Sequence, residues 1–239
     1  MDYQSYEATI TSIVDESPSV KSFGMSLSGP NFDFFPGQYI DLFVDTPTGI
    51  VVGGYSITSS PIDNNNNISI AVKKIDGALA TIQLHDKTNI GDVFQLQGPG
   101  GDFYYDKDNK KPVVLIAGGI GITPFISMTK YINKTNPTLP IVLIHSAKIP
   151  SELIFKKEIS QISKLNPNVE SIFTITQPDQ SMSKWNGRTG RIDKSLLSGF
   201  TSDNSHLFLI SGPDAMQEYV ESNLIDLGVL QSNIRREAW

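Results

Sequence analysis

A chain of 239 residues, 39% of them hydrophobic, can bury one large core or two modest ones, and two domains are expected. A formal net charge of -6 and a pI near 5.0 argue against nucleic acid as a partner. Zero cysteines exclude disulfides, thiolate-built zinc sites and a cysteine-ligated iron–sulfur cluster within these residues, so redox chemistry here calls for an organic cofactor or another metal.

The start, Met1-Asp2-Tyr3-Gln4-Ser5-Tyr6-Glu7, is acidic and has neither the apolar core of a secretory signal nor the Arg-rich character of a transit peptide. No membrane span is expected. The expected location is cytoplasmic, or mitochondrial where a targeting peptide has been trimmed. Residues 5–105 read as short β-runs at 6–14, 20–27, 38–44, 50–57, 68–72 and 93–97, separated by turn residues. In Ile40-Asp41-Leu42-Phe43-Val44 and Ile68-Ser69-Ile70-Ala71-Val72 one face is steadily apolar, as expected of strands lining a small closed barrel. A helix-like insertion is expected at 77–85, a turn at Gly91-Asp92 and a loop at the asparagine run 64–67.

After a solvated linker at 107–111 the pattern changes to strands at 113–117, 141–146, 171–176 and 207–211, alternating with helices at 124–132, 152–165 and 213–227. That alternation predicts a parallel sheet with flanking helices. Phe155, Ile159 and Ile162, and Met216, Val220 and Leu224, recur at helical spacing and read as core. The domains are accordingly expected at 1–107 and 112–239. In an open α/β sheet ligands lie beyond the carboxyl ends of the strands, here 118–121, 146–148, 176–177 and 211–213, which should line one cleft.

Two stretches carry chemistry. In the first, Leu115 to Phe125, an apolar run breaks at Gly118, Gly119 and Gly121 and restarts with helical spacing, with Thr123 as a candidate cap and Pro124 suited to the first turn. Such a helix start favours a phosphate. The second, Gly53 to Pro61, sets Tyr55 before Ser56, Thr58, Ser59 and Ser60, which reads either as a strand ending in a polar turn or as an aromatic platform beside hydroxyls for a planar heterocycle. His85, His145 and His206 lack metal-ligand spacing and read as packing residues at element ends.

Pro36-Gly37-Gln38-Tyr39, Tyr55-Ser56-Ile57, Val72-Lys73, Gly77 through Thr81 before Leu84-His85, Gly98-Pro99-Gly100-Gly101, Gly118 to Pro124, and Ser211-Gly212-Pro213 stand in an order that resembles the ferredoxin-NADP reductase superfamily. The resemblance covers nearly the whole chain. It implies an antiparallel Greek-key β-barrel that binds FAD, followed by an α/β parallel-sheet domain that binds NADH or NADPH. Carried over position by position, it implies that Tyr55 lies against the isoalloxazine ring and that Ser56 bonds near the reactive nitrogen. The Val72 and Lys73 backbone would meet the pyrimidine edge, Ile57 would be a further cofactor-binding residue, and Gly77, Ala80 and Thr81 would face the flavin phosphates. Glu237 would sit near the nicotinamide and Trp239 over the second flavin face. Gly118, Gly119, Gly121, Thr123, Pro124, Gly212 and Pro213 would hold the nicotinamide nucleotide. Ser146 and Lys148 at a strand end, with Arg188, are candidates for meeting a 2'-phosphate, and the choice between NAD and NADP stays open. A Gly-Gly-aromatic-Ser stretch with a terminal Trp is closest to the oxidoreductase NAD-binding-domain-containing protein subgroup.

Two departures stand out. The family's arginine two places before the tyrosine is Gly53 here, which calls for another cation, with Lys73 and Lys74 as candidates. Ser211 replaces a frequent cysteine and is expected to tune the site, not to act as a nucleophile. The expected function is hydride transfer from NAD(P)H to bound FAD, with electrons leaving to an unidentified acceptor that can be a separate redox protein. The alternative is a reductase-like nucleotide-binding or assembly module that lacks flavin.

Overall fold

A computed structural model describes residues 4–63, 65–181, 183–202 and 205–238. The expectation for Trp239 falls outside these residues. The first six strands are β1 (Gln4–Ser17), β2 (Val20–Ser28), β3 (Tyr39–Thr46), β4 (Gly49–Ser56), β5 (Asn67–Lys73) and β6 (Val93–Gly100), with helix α1 (Leu79–Asp86) between the last two. They form one antiparallel sheet in the order β4-β3-β6-β1-β2-β5. Its two edge strands meet at a single Ile57–Ile70 bridge, backed by the Thr58 N–H donating to the Ser69 carbonyl at 2.7 Å, so the sheet curls into a barrel. Alternation determines what fills it. Ile40, Leu42 and Val44 of β3 and Ile68, Ile70 and Val72 of β5 all point inward and are buried. Each contributes roughly 1.5–3 kcal/mol of burial.

The second sheet holds β7 (Val113–Gly118), β8 (Ile141–Ala147), β9 (Val169–Ile175), β10 (Arg188–Thr189), β11 (Leu207–Ser211) and β12 (Ile234–Arg236) in the order β10-β9-β8-β7-β11-β12, parallel throughout. Every residue of central β7 is buried, as a parallel strand covered on both faces requires. Val113, Leu115 and Ala117 pack with α2 (Thr123–Thr135) and α3 (Lys156–Leu165) on one face. Val114 and Ile116 pack with α4 (Lys194–Leu197) and α5 (Asp214–Asp226) on the other.

The helix expected from residue 152 begins at Lys156. Residues 150–152 form a short 3-10 turn, and Phe155 takes a left-handed φ of 57°. Leu153 and Ile154, in the link ahead of the helix, are buried in different clusters. Strands β10 and β12, of two and three residues, were too short for periodicity to reveal.

The halves pack against each other. Val20 and Ala71 of the barrel sit in the same cluster as the β7 and α2 side chains. The Ser127 hydroxyl of α2 donates to the Ser59 carbonyl at 2.6 Å, and the Lys134 ammonium contacts both Asp63 oxygens at 2.5 and 2.7 Å.

Candidate active site

Beyond the Ile57–Ile70 bridge the barrel seam opens. Gly54, Tyr55 and Ser56 of β4 face Ala71 and Lys73 of β5 across a cavity of about 190 Å³, with Ile75 and Thr81 beside them and Ile120, Thr123 and Glu237 closing the α/β side. The cavity lies between the two halves of the chain.

Glu237 arrives there because β12 continues one step past Arg236. Its N–H donates to the Ile210 carbonyl at 2.9 Å, which holds the residue level with the end of β11. Its side chain is buried between two hydroxyls from different halves. The Ser211 hydroxyl donates to Oε2, and the Ser56 hydroxyl donates to Oε1 at 3.4 Å. Both serines are buried as well. Three residues that the family resemblance singled out separately, 56, 211 and 237, thus form one hydrogen-bonded group.

Tyr55 lines the cavity and folds its ring back along β4. A Cβ placed on Gly53 would stand 2.5 to 2.8 Å from the phenol atoms of Tyr55, so the ring fills the space that a side chain at 53 would need. Burial pushes the Tyr55 phenol up to about 12, and it stays protonated at neutral pH. Ile57 and Val72 turn their side chains into the barrel core, and the Val72 carbonyl is paired with His85 Nε2 at 2.8 Å. Ala80 also faces that core.

Thr81 lines the cavity, but its hydroxyl works locally. It accepts from the Ile75 N–H at 3.1 Å and donates to the Ala78 carbonyl at 3.0 Å, shaping the loop that leads into α1. Gly77 in that loop has a φ of 82° with nothing within 4 Å of its missing Cβ, and Ala78 caps α1 without a side-chain bond. The helix start is therefore open on its N–H side.

The glycine turn after β7 is a 3-10 turn, Gly119–Ile122, and its glycines do different jobs. At Gly121 a Cβ would lie 2.6 Å from Ser211 and Gly212 backbone atoms, and a Cβ on Gly212 would lie 2.9 to 3.0 Å from Gly118 backbone atoms. Those glycines let β7 and β11 close on each other. Only Gly119, at φ 55° with open space around it, leaves backbone for a ligand to approach. Thr123 is not the helix cap that was expected. Ile122 holds that position, and the Thr123 hydroxyl donates to the Ile120 carbonyl at 3.0 Å because the preceding turn already points there. Pro124 stands in the first turn, as expected.

His145, read from sequence only as packing, supports this turn. It is buried beside Ala117 in the sheet register, and its Nε2 lies 3.0 Å from the Gly119 carbonyl. A carbonyl can only accept, so Nε2 carries the proton and Nδ1, which has no partner, is bare. Burial lowers the imidazole to about 4 despite the favourable carbonyl bond. Its position at the end of β8, opposite the glycine turn, was the only sequence signal for this role.

The parallel registers bring Ser146, half-buried, and Lys148, exposed, to the same sheet edge as the turn. Arg188 is committed elsewhere: its guanidinium pairs with Asp193 at 2.9 Å, while the Trp185 indole donates to the Arg188 carbonyl. Pro213 is exposed and Gly212 half-buried. Among the described residues there is no group of three or more His, Asp or Glu that could hold a metal ion, and no helix is long and apolar enough to cross a membrane.

Family models match both halves. The oxidoreductase FAD-binding domain covers residues 7–105 and the oxidoreductase NAD-binding domain covers residues 115–222. An oxidoreductase NAD-binding domain-containing protein 1 from Pongo abelii is 32% identical over 97% of this chain and 79% of its own length. The glycine betaine monooxygenase reductase subunit of Chromohalobacter salexigens is 27% identical over 95% of this chain and 62% of its own. The chain thus spans under two thirds of that subunit's length, and of two flavohemoproteins that it also matches. The flavohem-like FAD/NAD binding domain of a Vibrio cholerae nitric oxide dioxygenase superposes with a TM-score of 0.87 at 24% identity, covering 98% of both chains, and shares the fold.

Proposed function

The chain belongs to the ferredoxin-NADP reductase-like superfamily, and from that premise we propose that it is an NAD(P)H-dependent FAD oxidoreductase that passes electrons to an unidentified acceptor. In this reading residues 1–107 hold FAD and residues 112–239 hold NADH or NADPH. The observation that carries it is the buried Glu237 carboxylate, which joins Ser56 of the one half to Ser211 of the other at the edge of the cavity between them.

The lining fits a flavin: an aromatic face at Tyr55, hydroxyl oxygens at Ser56 and Thr123 that can accept, an open helix start after Gly77 and a cation at Lys73. When bound, FAD supplies the capacity to take two electrons from a nicotinamide and release them singly or together. The protein supplies position and protons. Tyr55, held neutral, offers an uncharged aromatic surface. Glu237 takes a hydrogen bond from each serine, so both hydroxyls are oriented toward it with their lone pairs left for other partners. Gly119 offers open backbone to the nucleotide, on a turn that His145 holds in place. Shared burial of the three site residues keeps water away from them. With no cysteine among these residues, a thiolate-held iron–sulfur acceptor would lie outside them, and the reading is in keeping with relatives named as a monooxygenase reductase subunit and a phenol hydroxylase P5 protein.

The purified protein should be yellow, and NADH or NADPH should bleach it without oxygen. A colourless protein that neither binds added FAD nor oxidises either nicotinamide would overturn the proposal. One observation favours the second reading, a flavin-free nucleotide-binding module: the cavity is smaller than the roughly 300–1,000 Å³ usual for ligand pockets. Calorimetry with NAD(H) beside the turnover assay separates the two.

A further inference from the structure

We propose that Lys73 recognises the phosphate of the flavin, so that one ammonium group distinguishes phosphorylated flavins from the bare ring system. This rests on the flavoprotein reading. Among the residues lining the cavity, Lys73 is the one cation and Glu237 the one carboxylate, and they come from opposite halves of the chain. On β5 the alternation sends Val72 into the barrel core and turns Ala71 and Lys73 to the cavity.

The neighbouring cations are engaged. Lys74 contacts both oxygens of Asp86 at 2.7 and 2.8 Å, and Lys21 donates to the His85 carbonyl at 2.8 Å. The Lys73 ammonium makes no hydrogen bond or ion pair among the described residues. Across the seam β4 is bare at this level. Continuing the antiparallel Ile57–Ile70 bridge by three residues in each direction sets Gly54 level with Lys73, and Tyr55 fills the space above Gly53. No side chain on β4 competes for an anion there.

A second source of positive potential lies close in the chain. The α1 start, after the Gly77 turn, has no side-chain cap, and Thr81 is occupied within its own loop. An anion at this end of the cavity would meet helix N–H groups and one ammonium together.

The test is a fluorescence titration of the flavin-stripped full chain with riboflavin, FMN and FAD. The substitution Lys73→Gln should weaken FMN and FAD by about 10- to 100-fold, leave riboflavin unchanged and flatten the salt dependence of FAD binding. Lys73→Arg should retain most of the affinity. Equal weakening of riboflavin, or unchanged FAD affinity in Lys73→Gln, would overturn the proposal. If the wild-type chain binds none of the three flavins, the flavoprotein reading itself fails, a result distinct from flavin binding that ignores residue 73.

Discussion

The Glu237 carboxylate accepts a hydrogen bond from the Ser56 hydroxyl 181 positions away in sequence, at 3.4 Å, and so ties the last strand of the α/β sheet to the open seam of the barrel. A carboxylate so placed can orient a hydroxyl and exchange a proton with what that hydroxyl touches. Replacing Glu237 by Gln keeps the shape and removes the charge. Turnover with NAD(P)H and an artificial electron acceptor should drop by roughly 100-fold while the FAD content of the purified protein stays the same. Undiminished turnover would assign Glu237 a purely structural part.

Ser56 and Ser211 donate to the two oxygens of the same carboxylate, so their contributions are not independent. A double-mutant cycle of Ser56→Ala and Ser211→Ala, read in the rate of flavin reduction, should show a coupling on the order of 0.5–3 kcal/mol. Strict additivity would mean that the two hydroxyls act separately.

Gly121 sits against the end of β11, where even a methyl group meets backbone and not a movable side chain. Gly121→Ala should lower unfolding stability by about 1–3 kcal/mol and raise the KM for NAD(P)H, because the turn must move away from Ser211. Thermal unfolding and steady-state kinetics check both effects. An unchanged Tm would show that the β7–β11 contact yields freely.

His145 makes stability depend on pH. Its imidazole is lowered from 6.5 to about 4 in the folded protein, so between those values the unfolded chain binds a proton that the folded chain does not. Stability from this group is complete above pH 6.5 and is lost as pH falls toward 4, at about 1.4 kcal/mol per pH unit. Gln can donate to the Gly119 carbonyl without titrating. Denaturant unfolding of the wild type and of His145→Gln should therefore differ by a constant amount above neutrality and converge in acid. Parallel curves down to pH 4 would show that His145 is not buried as a neutral group.

Much of this was legible from residue patterns. The period-two runs of the barrel and the βα alternation after residue 112 announce themselves because each strand or helix must bury one face, and burial imposes its period on the sequence. Ser56, Ser211 and Glu237 were picked out by resemblance, yet nothing local in the sequence joined them. Thr123 illustrates the limit from the other side: as the first hydroxyl before a helical run it had the look of a cap, but a 3-10 turn ahead of the helix took the capping position. The start of α3 was misplaced for a related reason, since Phe155, read as a helical core residue, takes a left-handed φ that keeps the helix from starting before Lys156.

The sequence by itself determined the two kinds of sheet, their order and the glycine turn at 118–121, because these rest on short-range periodicity and on backbone conformations that few residues allow. Tertiary structure alone decided which cation is left unpaired at the cavity, which glycine faces open space and which carboxylate meets the two serines. Those outcomes depend on side chains far apart in the chain competing for the same partners: Lys74 found Asp86, Arg188 found Asp193, and Lys73 was left facing the cavity.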